Sequence, residues 1–405
     1  MRQSGSREFW APVEASSGVL GFVFVCAAIG KLARYLPWWG LVLVAIAQAA
    51  ALSLLARHAR SVLDRVTRRR AWIVLGAVAG LLSLVYLWGH PALERSIANR
   101  PGLGSDRDEA LEVAVGSLFS SGRPYLAEIS TGNPISPMPG ELMLAAPFVW
   151  LGVSGLQTVF WLLLWCLLLS LRFGVPRAVL ALALLLALSP GVLHEVLTAG
   201  DLLAASLYNA VACTWLLVPA AEPERVGPKD LAGALLFALA LSSRPTFLLL
   251  VPLLVAALAP TRGVPFGLGI AALSVGLTSL LTWFYARGIE LTRSPFHLLI
   301  TIDELSFPGA WLTIALISAL MALGGARSVY RSGGETFHTV SALVLLVPVV
   351  LSTTLVARTL GAAAVERFLW YALWSLPFAA VGLVGVLTGR GSVRRSSRVH
   401  RAAPS

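Results

Sequence analysis

The sequence predicts an all-α, polytopic transmembrane helical bundle, and three observations carry that prediction. Hydrophobic residues fill 57% of 405 positions and charged residues only 13%, about half the charged share of a soluble globule. Mean hydropathy is +0.80. Apolar runs long enough to cross roughly 30 Å of hydrocarbon as helices recur from end to end, without the short alternating segments of a β-barrel.

The spans follow in order: 18–36, 37–56, 71–89, 155–172, 178–197, 202–219, 231–243, 246–259, 264–285, 308–325, 339–359 and 367–388. Their number, twelve, is tested by charge. The net charge of +11 collects in RHARSVLDRVTRRR (57–70) and RGSVRRSSRVHR (390–401). Basic clusters flanking spans mark the cytoplasmic side, where anionic lipid also attracts them. An even number of spans places both there. The excess charge thus points to membrane lipid and not to nucleic acid. The pair 231–243 and 246–259 is short for two crossings and fits a re-entrant hairpin as well, which leaves the parity intact. Residues 139–152, apolar but short and holding Pro147, read as a tilted or re-entrant helix.

Four segments result: a three-span part with its basic loop (1–89), an extracytoplasmic loop with an amphipathic helix and a re-entrant piece (90–154), the remaining bundle (155–388) and a basic tail (389–405). Residues 1–17 are polar and no small-residue cleavage site follows, so no cleavable leader is expected. Cys26, Cys166 and Cys213 lie in apolar segments and read as small buried hydrophobes, with neither a disulfide nor a zinc site.

The loop after the third span carries the chemistry. Asp106, Asp108, Glu109 and Glu112 fall between two apolar segments. Leu111, Val115, Leu118 and Phe119 repeat at helical spacing, which predicts an amphipathic helix from 106 to 121 along the membrane surface. Asp106 with Glu109 fits a capping-box start, and Gly122 a stop. First-turn acids are favoured by the helix dipole whatever the function. GNPISPMPGE (132–141) holds three prolines and is expected to be extended and stiff. HEVLTAGD (194–201), residues 286–309 and GAAAVER (361–367) reach the same face in this topology.

An extracytoplasmic Asp opening a helix, then SSGRPY, then a Pro-rich segment ending in PGELMLAAPFVWLG, resembles the first outer loop of the GT-C superfamily, closest to its bacterial polyprenyl-phosphate-mannose-dependent branch. LALSSRPTFLLLVPLL (239–254) is similar to the branch's Lys/Arg-Pro segment, and ERFLWYALWSLPF (366–378) to its last helix. The likeness spans about residues 100–388 in order. Two spans precede the loop where one is usual, PMPG replaces PPPG, and Arg244 stands where Lys is common.

The resemblance implies a multi-pass glycosyltransferase of the bacterial plasma membrane, working on its outer face. It would move a sugar, mannose in that branch, from a polyprenyl-phosphate donor to a glycan or lipid acceptor, with inversion and without a cofactor. Such transfer needs a base for the acceptor hydroxyl and cations for the leaving phosphate. The resemblance implies Asp108 as the base, because its distance to Gly122 and Tyr125 fits the family's spacing, with Asp106 in reserve. Arg244 is the first phosphate ligand, followed by Arg123, Arg367 and His194. Glu109, Asp201 and Asp303 are candidates for sugar or acceptor hydroxyls. Each has a plain alternative: Arg244 an ion pair, Arg123 a solvated loop cation, Arg367 a pair with Glu366, His194 an interfacial histidine, Asp201 the start of the helix at 202, and Asp303 a solvated pair with Glu304. Asp106 and Asp108 point about 200° apart on a helix, so DRD makes no metal pair.

A twelve-span transporter or lipid-carrier flippase is the competing class. Asp64, Arg65, Arg68 and Arg69 fit the major-facilitator loop pattern after the second span, but Arg60 and Thr67 replace its two glycines. The classes differ in where polar groups must collect: along a mid-membrane path for transport, at one surface for transfer.

Overall fold

The computed structural model describes residues 13–33, 35–98, 107–218, 226–290, 293–361 and 363–389. Every regular element among them is helical. In chain order these are α1 (Val13–Leu32), α2 (Trp38–Arg65), α3 (Arg68–Ala98), α4 (Arg107–Ser120), α5 (Pro139–Trp150), α6 (Leu156–Phe173), α7 (Val175–Leu188), α8 (Pro190–Leu197) and α9 (Leu202–Leu217). Then come α10 (Pro228–Leu241), α11 (Leu250–Arg262), α12 (Val264–Ala286), α13 (His297–Leu305), α14 (Ala310–Arg331), α15 (Phe337–Leu360), α16 (Ala363–Phe368) and α17 (Leu376–Gly389). Tight 3-10 turns at Pro245–Leu249 and Leu369–Ser375 lead into α11 and α17.

Eight helical stretches among the described residues are long and apolar enough to cross a membrane: 38–59, 68–93, 156–173, 245–262, 264–286, 310–331, 337–360 and 369–388. The chain is therefore a multi-pass membrane protein by the length and composition of its helices. The span expected at 178–197 is broken: α7 and α8 meet at 84°. Pro190 lacks an N–H and drives Ser189 into extended backbone. Counted as one bent crossing, the pair gives nine. Residues 17–32 and α9 are apolar but shorter, and α10, over the expected span 231–243, does not reach spanning length.

The core is built around α9. Every residue of that helix except Trp215 is buried, and α6, α10 and α17 pack around it. A helix so enclosed must satisfy its polar side chains internally. Ser206 Oγ donates to Trp374 O at 2.6 Å, and Asn209 Nδ2 donates to Ala205 O and Ala240 O at 3.0 and 2.9 Å.

A smaller cluster joins α4 to α5. Leu111, Val115 and Leu118 are buried as expected, together with Ala110 and Ala114, against Leu142, Ala145 and Ala146. The apolar stripe thus packs on α5. Phe119 turns off that face; it is exposed and meets the Trp150 ring at 4.6 Å between centroids. The Pro-rich segment 132–138 has no regular secondary structure, with Gly132 at φ +71° and Met138 extended, and is pinned by buried Tyr125, whose hydroxyl donates to Pro137 O at 3.1 Å. Gly140 lets α5 approach α10: a Cβ there would lie 2.1 Å from Leu239 O.

Candidate functional site

The heads of α4, α5 and α9, the end of α1, and the turns before α11 and α17 converge at one end of the bundle. Their ionisable side chains form one buried network.

The network starts at the α8–α9 junction, TAGD. Ala199 there has φ +50°, a left-handed conformation that costs an L-residue about 1–2 kcal/mol. The tight corner sets two acids side by side. Asp201 occupies the position before α9, yet its carboxylate makes no cap hydrogen bond. Glu195 does so from α8: its Oε2 accepts from Leu203 N at 3.1 Å. Gly200 makes room, since a Cβ there would lie 2.6 Å from Glu195 Oε1. With α9 capped by Glu195, Asp201 is free to bind cations.

Two guanidiniums take it. Arg107, first residue of α4, donates from Nη1 to Asp201 Oδ1 at 2.8 Å and from Nη2 to Tyr371 Oη at 3.4 Å. Arg107 also lies over the Trp370 ring, 5.0 Å from its centroid. Arg244 pairs with Asp201 Oδ2 from Nη2. Its Nη1 donates to Ser136 O at 2.6 Å, and Nη2 lies 3.3 Å from Glu141 Oε2. Pro245 holds Arg244 extended (φ −151°, ψ 140°), which aims its side chain across the turn. On the far side, Lys31 Nζ pairs with Glu195 Oε1 at 2.5 Å and stands 4.4 Å from the Trp370 ring centroid.

Electrostatics divide the acids. Burial pushes the Asp201 carboxyl up, but Arg244 and then Arg107 outweigh it and hold it below the usual carboxylate range. Burial dominates at Glu141 and raises it well above its ordinary value, despite Arg244. Burial lowers Arg244 and Arg107, but adjacent acids more than reverse this, Glu141 and Asp201 for the first and Asp201 for the second. Asp201 is held as an anion; Glu141 is the acid that resists ionisation.

The residues singled out in the sequence are distributed unevenly. Asp108 sits half-buried in the first turn of α4, next to Arg107. Asp106 lies outside the described residues, as does the Arg367 side chain. Arg244 and Asp201 are joined directly. The capping box expected of Glu109 gives way to a longer tie: its carboxylate accepts from Ser130 N and Oγ at 2.7 and 2.5 Å. Glu112 accepts from Ser154 Oγ at 3.1 Å. Arg123 is exposed in the turn after α4. His194 is half-buried, with Nε2 3.2 Å from Tyr35 Oη. Asp303 caps α14, accepting from Gly309 N and Trp311 N at 3.0 Å each.

Sequence reasoning passed over Lys31, Arg107, Glu141, Tyr371 and His297. Two carried a signal: Lys31 is a lone cation closing an apolar run, and Glu141 a lone acid opening one, and ionisable groups in such places are expensive. His297 is half-buried, with Nδ1 3.1 Å from Ser294 O. Burial first, then the Arg244 and Arg107 guanidiniums, hold it below 6.5. Among the described residues no group of three or more His, Cys, Asp or Glu side chains could hold a metal ion.

No protein-family model, no curated protein and no solved structure matches the chain.

Proposed function

We propose that this chain is a GT-C-like membrane glycosyltransferase of the bacterial plasma membrane. In this reading it moves a sugar, mannose by the motifs quoted above, from a polyprenyl-phosphate donor to an extracytoplasmic glycan or lipid acceptor. One observation carries the reading: the Asp201 carboxylate is shared by Arg107, the residue before Asp108, and by Arg244. The head of the acidic helix and the Arg-Pro turn, 137 residues apart in sequence from 107 to 244, therefore meet at one end of the bundle. A carrier lipid keeps its tail in the bilayer, so chemistry on its phosphate needs base and cation at one interface. A transport path would need polar groups through mid-membrane.

The twelve-span topology belongs to the same proposal. With α7–α8 as one bent crossing and α1, α9 and α10 as short ones, the total returns to twelve. Both basic clusters are then cytoplasmic and the network faces outward.

In the mechanism, Asp108 takes the proton of the acceptor hydroxyl as its oxygen attacks C1 from the side opposite the phosphate, which inverts the centre. The C1–O bond breaks and its electron pair leaves on the phosphate. Arg244 and Arg107 meet the growing charge through their planar donor forks, the phosphate taking over donors that Asp201 holds in the closed network. Asp201 then orients the two guanidiniums.

The test is transfer from radiolabelled polyprenyl-phosphate mannose by the purified protein in liposomes. Asp108→Ala is expected to lose about 10²–10⁴-fold in rate, the usual share of a general base. Transfer that survives both Asp108→Ala and Asp106→Ala would eliminate the proposed base.

A further inference from the structure

Glu141 is the anomaly of the network. Its side chain is fully buried, and neither carboxyl oxygen has a hydrogen-bond partner. Among the described residues its one charged neighbour at ion-pair distance, Arg244, stands 3.3 Å away without forming a hydrogen bond to it. The Nε–H of Arg244 is likewise buried and without a partner. Two adjacent buried groups with unused hydrogen-bonding capacity are costly, because each is desolvated without compensation. Buried groups of this kind, beside a charged partner, are candidates for a catalytic or ligand-binding role.

The charge balance says what kind. Lys31, Arg107 and Arg244 stand against Glu195 and Asp201 in the paired part of the network. With Glu141 neutral, one positive charge remains. A carboxylic acid in that state is also an O–H donor. The cradle thus offers two donors, the Glu141 O–H and the Arg244 Nε–H, beside one net positive charge, which suits a singly charged oxyanion.

We propose that Glu141 acts as a neutral hydrogen-bond donor and, with the Arg244 Nε–H, forms a two-point cradle for the phosphodiester group of the lipid-linked donor. This deepens the glycosyltransferase reading and rests on it for the identity of the ligand. When C1–O breaks and the electron pair passes to the phosphate oxygen, the Glu141 O–H lies where it can follow. The polyprenyl phosphate then leaves as a monoanion, Glu141 is left as carboxylate, and water restores its proton. Asp108 holds the proton from the acceptor hydroxyl, so atoms and charge balance.

The groups facing Glu141 are few: Arg107 from α4, Tyr125 from the turn after it, Glu195 from α8, Asp201 and Tyr208 from α9, and Arg244 before α11. Tyr285 of α12 packs on the same α4–α5 cluster. Asp201 is already held ionised by the guanidiniums, so Glu141 is the acid whose proton count the ligand must sense.

The experiment is binding of a farnesyl methyl phosphodiester, which stays singly charged across the working pH range, to the full-length protein in detergent at a series of pH values. Wild type is expected to lose affinity by about tenfold per pH unit above the point where Glu141 ionises, the slope of one linked proton. Glu141→Gln keeps a donor at every pH, so its affinity stays at the wild-type low-pH level throughout. Glu141→Leu, similar in size and without a donor, is expected to bind at least tenfold more weakly at low pH. A pH dependence identical in wild type and Glu141→Gln would overturn the proposal, and so would wild-type binding by Glu141→Leu. The outcome is independent of catalysis: binding as described without sugar transfer would refute only the glycosyltransferase reading. Transfer by a protein whose phosphodiester binding ignores Glu141 would refute only the cradle.

Discussion

The hairpin of α10 and α11 carries a buried Arg–carboxylate pair at each end, and the two ends are built on different terms. At the open end Arg262 closes on Asp230 through both terminal nitrogens, at 3.2 and 2.9 Å, and Gly227 N adds a third donor at 2.9 Å. The Asp230 carboxylate is filled, and the Arg262 guanidinium rests 4.0 Å from the Phe266 ring centroid. At the turn end Arg244 has two acids, Asp201 and Glu141, and Asp201 has two guanidiniums. Donors and acceptors are still left over there. The Nε–H of each arginine is buried and makes no hydrogen bond, so the difference lies in the acids: Asp230 has both oxygens filled, whereas Glu141 has neither. Ion pairs alone do not mark a site; a buried acid with neither oxygen hydrogen-bonded calls for an explanation that a filled one does not.

The comparison breaks first at the shared carboxylate. Asp201→Leu strands two buried guanidiniums and should cost about 3–5 kcal/mol, as expected for removing one partner from a buried pair. Asp230→Leu strands one guanidinium that keeps its ring contact, and about 1–3 kcal/mol is expected. Thermal unfolding in detergent orders the two. Equal losses would mean that the Asp201 network is no more than a second fastener.

Acidity sharpens the contrast because Asp230 and Glu141 respond to pH with opposite sign. Burial raises Asp230, but its Arg262 and Gly227 hydrogen bonds prevail and set it below its ordinary 3.8. Between those two values the unfolded chain binds more protons, so this contribution to stability is present above 3.8 and is lost as pH falls through the folded value. Glu141 is raised above its ordinary 4.5, chiefly by burial. There the folded chain binds more protons, so stability falls as pH rises above 4.5. Each slope is at most one proton, about 1.4 kcal/mol per pH unit. Asp230→Asn should reduce the pH dependence on the acid side, where Asp201 also contributes, and Glu141→Gln should remove the Glu141 contribution on the alkaline side. Stability that rises with pH through the Glu141 window would show an ionised, paired Glu141 and remove its role as donor.

How much of this could be seen in the sequence depends on the distance over which each feature is decided. The helix expected at 106–121 is α4 at Arg107–Ser120, and the Pro-rich stretch stays out of helix until Pro139, because local rules govern both. The 84° break before Pro190 was also local, yet hydropathy passes over it: SPGVL is apolar, and only the backbone of Ser189 is changed. The site was half legible. Asp108, Arg244 and Asp201 stand out as polar groups between apolar runs. Arg107 does not, because neighbours on a helix point about 100° apart. Which of Arg107 and Asp108 faces the interior is decided by Asp201, 94 residues away from Arg107. Glu195 and Asp201 could not be told apart either, since both precede α9, and the left-handed Ala199 decides which one caps it.

The smallest expected effect lies at an acid with filled valences and no part in the network. Asp303 accepts from two backbone N–H groups at the start of α14, as a capping carboxylate does. Asp303→Ala should cost about 1 kcal/mol of stability, the usual value of an N-cap, and leave sugar transfer and phosphodiester binding at wild-type levels. Asp303→Asn keeps an acceptor oxygen and should recover most of that loss. A defect in transfer at unchanged stability would move Asp303 from fastener to site, and the division drawn between acids with filled valences and acids with open ones would fail as a guide to function in this chain.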